Sequence, residues 1–382
     1  MTRGMKRGHA RGGAAAQRGF TLIELMVALV VSSLLVGMIL AIFMRMSIAY
    51  RGQAQIAEVQ SKLAAVRAKL EYDAKHAGLG MAQGFTIMST PSGLYLSPLR
   101  VGNNSTSPDN LGFYYADPSV RAATVLGSTA VCDKLQCDAL DSTAGFAVGD
   151  VVVSSTASLD DSPYGFPDGT GDADIATFRA CVLQIASIGP TQLGFAASGL
   201  WGAPGNNHCP DPVLGTTIYY KFVAHAWRID PSRPELGVLQ LSPTGDLIGG
   251  NDWQDQAYGF TDIQVATRFY EEANVIDTAD PDTDPERDWY SDSMQSTFLA
   301  QQAVLVPPIQ ISISLVARTE RDVEGIASSS TPSLTVAGNP ANNTIGDREA
   351  VALPSVTPEL SGNRIYRYTT FQVDLRNLGV GR

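Results

Sequence analysis

From Phe20 to Met44 the chain is almost wholly apolar, broken only by Thr21, Glu24, Ser32, Ser33 and Gly37. A run of about 25 such residues forms a helix of roughly 37 Å, long enough to cross a bilayer. The pattern then changes. Ile56, Val59, Leu63, Val66 and Leu70 recur at 3-4-3-4 spacing, with Lys62, Arg67, Lys69 and Glu71 between them. That spacing predicts a helix with one apolar stripe on a polar body. The expected elements are an apolar helix over 20–45, its amphipathic continuation over 46–80, and a stop at His76–Gly80.

Beyond Gly80 the period falls to two and turn residues become frequent. Phe146–Ser155 reads as a hairpin or strand pair around Gly149 and Asp150. Thr177–Ile188, Thr217–Ile229 and Gly237–Leu241 read as strands, with a turn at Asp230–Leu236. Phe260–Tyr270 alternates with Ile263, Val265, Thr267 and Phe269 on one side. Ile309, Ile311, Ile313 and Leu315 alternate with Gln310, Ser312 and Ser314, and Arg364–Arg376 is the last expected strand. Residues 319–363, rich in Ser, Thr, Pro, Asn and Gly, read as a long loop. No internal repeat is visible. The expected class is α+β: a long N-terminal helix packed on an antiparallel sheet. The exported body spans 81–382, with a β-rich insertion over about 105–215.

The 382 residues include 36 Gly and 21 Pro, only 17% are charged, and the formal net charge is −11. This composition suits a loop-rich β protein. Residues 1–19 hold Arg3, Lys6, Arg7, Arg11 and Arg18 and no acid, so the body is more acidic still. An acidic body argues against direct nucleic-acid binding, which needs clustered Lys and Arg. Basic residues before an apolar helix predict a cytoplasmic N-terminus.

Glu24 poses a problem, because a carboxylate inside hydrocarbon costs a few kcal/mol on insertion scales. A cationic partner at the same depth would offset this. Residues 20 and 24 lie one helical turn apart, so a cation at the level of residue 20 could face Glu24. The plain alternative is an ordinary anchor in which Glu24 snorkels to the interface.

The stretch Arg18-Gly19-Phe20-Thr21-Leu22-Ile23-Glu24-Leu25-Met26-Val27-Ala28-Leu29 resembles the class III signal of type IV prepilins and pseudopilins. The resemblance implies that residues 1–19 are a leader, that prepilin peptidase cuts between Gly19 and Phe20, and that the new Phe20 amine is methylated. It also implies that Glu24 pairs with an N-terminal amine during filament assembly. One departure is the absence of proline from residues 20–90, where many major pilins carry a helix-breaking proline. Ile311–Arg318 (ISISLVAR), Arg367–Gly379 (RYTTFQVDLRNLG) and Phe146–Ser155 (FAVGDVVVSS) look like segments of PilW-type minor pilins.

A minor pilin of that kind implies a role in priming and assembling type IV pili, possible placement at the tip, and service in adhesion and twitching motility. The implied partners are prepilin peptidase, other minor pilins, the major pilin, the inner membrane and a tip adhesin. The implied locations are the inner membrane, with a periplasmic body, and then a pilus at the cell surface. The alternatives are a J-type minor pseudopilin of type II secretion and a membrane-tethered adhesin.

Cys132, Cys137, Cys181 and Cys209 all lie beyond the apolar segment. An even number in an exported domain suggests disulfides. Three connectivities are open, with Cys132–Cys137 and Cys181–Cys209 expected from proximity in sequence. Free thiols, or a zinc site with His208, are the alternatives. None of His9, His76, His208 and His225 stands in a recognisable catalytic motif, and no nucleophile elbow, phosphate loop or HExxH occurs. No enzymatic activity and no cofactor is expected.

Calcium is the metal to weigh, at Asp168, Asp172 and Asp174 or at Asp280, Asp282 and Asp284. The second group fails the EF-hand template at Pro285 and Ser291, and solvated acidic loops explain both. Trp201, Trp253, Trp289 and Tyr290 lie in loop-like sequence and are candidate adhesive aromatics or small-core residues.

Overall fold

The structure is a computed structural model. It describes residues 21–80, 87–89, 94–96, 98–102, 108–126, 136–156, 180–196, 217–245, 252–269, 289–290, 308–320 and 364–375. The chain divides into two compact units, residues 1–54 and 55–382.

Helix α1 (Leu22–His76) merges the two expected helices into one. It continues without a break because no proline removes a backbone donor between residues 20 and 90. Its first part is exposed along its whole apolar length and is the one helix, among the described residues, long and apolar enough to cross a membrane. The helix stops at His76, as the pattern predicts. Ala77 N–H donates back to Asp73 O at 2.9 Å, and Gly78 follows at φ +78°.

Among the described residues sixteen strands follow: β1 (Ile87–Ser89), β2 (Leu94–Leu96), β3 (Leu99–Gly102), β4 (Asn110–Ala116), β5 (Ala123–Thr124), β6 (Gln136–Cys137), β7 (Val151–Thr156) and β8 (Ala180–Ile188). Then come β9 (Leu193–Phe195), β10 (Thr217–Ile229), β11 (Val238–Ser242), β12 (Gln254–Tyr258), β13 (Phe260–Phe269), β14 (Trp289–Tyr290), β15 (Pro308–Arg318) and β16 (Tyr366–Asp374). Twelve form a sheet whose main path runs β12-β11-β10-β7-β8-β1-β2; β4 pairs with both β10 and β3. The other four run β14-β13-β15-β16. Named strands pair antiparallel throughout, except β1 with β8. The layout is α+β, consistent with a pilin-like fold.

The long strand β10 serves two cores. Its first half pairs with β5 and β7 and its second half with β4 and β11. Tyr219 enters a core with Val125, Cys137, Leu140, Val152, Leu183 and Leu193. Trp227 enters the larger core, where α1 supplies Val59, Leu63, Val66, Leu70 and Ala74. That core also draws on β4, which lies within the 105–215 stretch, through Leu111, Phe113 and Tyr115. Strands β13, β15 and β16 complete it with Ile263, Val265, Ile311, Ile313, Leu315, Phe371 and Val373.

The helical stripe therefore packs on the body's own sheets. Polar contacts flank it: Lys62 bonds Glu320, Lys69 donates to Gln256 at 3.1 Å, and the Arg67 guanidinium lies 5.2 Å from the Phe371 ring centroid.

Gly259 joins the two sheets. Its φ is +90°, and a Cβ there would meet Arg318 O at 2.7 Å. Only glycine fits both the left-handed backbone and this approach. The amide of Arg318 donates to Gly259 O at 2.7 Å, closing the junction.

Two expectations need correction. Phe146–Ser155 is a turn followed by the single strand β7, not a hairpin. Gly149 at φ +93° and Asp150 exchange backbone bonds with Ile185 on β8, so the partners of β7 are the distant strands β8 and β10. Trp289 and Tyr290 are not loop residues but form β14, paired with β13.

Candidate functional site

The start of α1 carries a reciprocal capping box. The backbone N–H and the hydroxyl of Thr21 both donate to Glu24 Oε2, each at 3.0 Å, and Glu24 N–H donates to Thr21 Oγ1 at 3.3 Å. Leu25 N–H donates to Thr21 O at 3.2 Å, the first full helical bond. Thr21 is thus the N-cap and Glu24 the third helical residue, the Thr-x-x-Glu arrangement that satisfies orphan amide donors in both directions. A cap of this type contributes about 1 kcal/mol to a helix. A carboxylate in the first turn also faces the positive end of the helix dipole. Every hydrogen bond to the Glu24 carboxylate among the described residues comes from Thr21.

Polar groups further along the apolar part are satisfied within the helix. The hydroxyls of Ser32 and Ser33 donate to Leu29 O at 3.0 Å and Val30 O at 2.8 Å. In hydrocarbon this self-satisfaction is what makes a serine tolerable. Gly37 stands in open space, with nothing within 4 Å of where a Cβ would be.

A second cluster anchors the far end of the helix. Asp73 is buried, and three side chains from two strands donate to it. Tyr115 on β4 gives its hydroxyl to Oδ1 at 2.7 Å, and Trp227 on β10 gives Nε1–H to Oδ2 at 2.8 Å. His225 on β10 places Nδ1 2.9 Å from Oδ1. Burial, with the Asp73 charge added, pushes the Tyr115 hydroxyl well above its ordinary range and keeps it a donor. His76 and His225 are expected from the sequence as structural residues, and Asp73 lies in no motif that marks it. His225 lies in the strand and His76 ends the helix, tilted against Tyr72 at a ring distance of 4.1 Å.

Gly19 and Phe20 lie outside the described residues, as do Cys132, Cys209, His9, His208, Trp201 and both acidic loops. Cys137 is buried and disulfide-bonded; the side chain of Cys181 and the pairing itself lie outside the described residues. Trp253 lies beneath Arg228, whose guanidinium sits 4.0 Å from its ring centroid. No group of three or more metal-ligating side chains occurs among the described residues.

An α+β body together with an exposed apolar helix, capped by a threonine and a glutamate, has a layout consistent with a pilin-like fold. Residues 15–40 match the family described as the prokaryotic N-terminal methylation motif. The motif and the helix that begins within it fit a membrane-anchored, single-pass protein of the type IV pilin-like kind, with a prepilin-type signal. No curated protein and no solved structure matches the chain.

Proposed function

We propose that this protein is a minor pilin of the PilW kind, acting in the priming and assembly of type IV pili rather than in catalysis. Prepilin peptidase cuts between Gly19 and Phe20, Phe20 is methylated, and the apolar helix holds the subunit in the inner membrane until it enters a filament. The periplasmic body contacts other minor pilins, the major pilin or a tip adhesin, and the assembled subunit stands at the pilus tip. The observation that carries this reading is Glu24: an acid within a methylation motif, at the tip of a helix exposed along its apolar length.

The carboxylate has two duties that substitutions separate. Glu24→Gln keeps an oxygen acceptor for the Thr21 cap but removes the charge that a neighbour's amine needs. Thr21→Ala weakens the cap and keeps the charge. The expected result is loss of filament incorporation for Glu24→Gln and near-normal incorporation for Thr21→Ala, read by immunoblot of sheared pili. Equal incorporation of Glu24→Gln and the parent would overturn the pairing role.

Mass spectrometry of the membrane-extracted protein should show a methylated Phe20 terminus; an intact Met1 would overturn the processing step. Gene deletion should remove surface pili and twitching. Loss of exoprotein secretion instead would mark a J-type pseudopilin of type II secretion. Intact piliation with loss of attachment would mark a tethered adhesin.

A further inference from the structure

Arg318 ends β15 and is 1% exposed. Its Nη2 donates to Glu235 O and, at 3.5 Å, to Pro234 O. Among the described residues its Nε and Nη1, also buried, have no acceptor within hydrogen-bond distance. A buried guanidinium with open donors is costly unless an anion completes it.

A second cation lies alongside. Thr319 N–H donates to Ile365 O at 3.0 Å and Ile365 N–H to Thr319 Oγ1 at 3.2 Å, which brings Arg364 to the same corner. Burial and the Arg364 charge both act against the charged form of Arg318; Tyr366 and Glu235 pull the other way without reversing it. The nearby Glu320 is held by Lys62. The carbonyls of Pro234 and Glu235 that accept from Arg318 belong to a turn whose residues Pro234, Glu235 and Leu236 are exposed.

We infer that the corner between β15, β16 and the 234–236 turn binds an oxyanion, a phosphate or a carboxylate, on the open edges of the Arg318 guanidinium beside Arg364. Two like charges side by side in an acidic protein suit such a group. Arginine donors in fixed geometry recognise it better than a lysine point charge would. The oxyanion is either a free ion or the carboxylate of an acidic segment on another protein.

The test uses the full chain in detergent, melted by tryptophan fluorescence in sodium phosphate or in a hexaglutamate peptide, against chloride at equal ionic strength and pH. Phosphate should raise Tm saturably by about 2 °C or more, and Arg318→Met should abolish the rise. A rise confined to the peptide assigns the ligand to a protein carboxylate. If Arg318→Met does not fold, Arg364→Met, which leaves Arg318 in place, should raise the half-saturating concentration about tenfold. No response to either anion, or the same response in the parent and the foldable variant, overturns the proposal.

Discussion

The hydroxyl of Tyr115 and the carboxylate of Asp73 meet at 2.7 Å inside the core, joining the last turns of α1 to β4. Asp73 takes the other donors from β10, so one side chain ties the helix to two neighbouring strands. Removing one donor leaves the carboxylate partly satisfied. Tyr115→Phe should therefore cost about 1.5–3 kcal/mol, the range for hydrogen bonds to charged groups. Combined with Trp227→Phe it should show non-additive loss, because both bonds end on one carboxylate. Denaturant melts of the single and double variants measure this; strict additivity would separate the two bonds.

A second expectation concerns acid. Hydrogen bonds from Arg233, then Gln240, hold the Asp255 carboxyl well below the usual carboxylate range. Burial alone would raise Asp230, but its bonds from Ser232 and Arg233 outweigh that and leave it lowered. Groups with depressed folded pKa values stabilise the fold above their unfolded value, 3.8 here, and lose that contribution as pH falls through the folded value. Tm should fall on acidification below about pH 4. Arg233→Gln should flatten that fall while lowering Tm at pH 7. Melts from pH 2 to 7 on both chains test it.

Gly259 and Gly149 share a left-handed backbone, at φ +90° and +93°. A Cβ at Gly149 meets open space, whereas one at Gly259 meets Arg318 O at 2.7 Å. Alanine at position 149 should cost about 1 kcal/mol from backbone strain. Alanine at 259 should cost more, because strand β15 must move. Thermal melts of the two variants rank them, and equal costs would deny the close approach.

Leu70 is fully buried where α1 meets the sheets. Leu70→Ala should cost about 2–5 kcal/mol by lost burial and a cavity. Leu40→Ala, at a residue 55% exposed in the apolar part, should leave the melting of the body unchanged.

Local periodicity made much of this fold readable. The stripe from Val59 to Leu70 is the buried helix face, and the alternation at Ile311, Ile313 and Leu315 is the core side of β15. Strand pairing was not readable, because it is set by contacts between distant segments: β7 finds β8 and β10 rather than a hairpin partner. The same limit hid the Asp73 cluster, although a signal existed. Asp73 sits three residues after Leu70 and one before Ala74, an acid in register with the apolar stripe.

At the other end, the acid at 24 stood out as an oddity in an apolar run. Its spacing from Thr21 is also the signature of a capping box, a second meaning carried by the same residue.

Strand β10 lends its two halves to different cores. Thirteen consecutive residues couple the two cores, so melting of either one should loosen the ladder of the other. The body should then lose its order in one calorimetric step, with matching enthalpies from heat uptake and from the slope of the transition. Slowly exchanging amides should run the length of this strand, as the last part of the sheet to open.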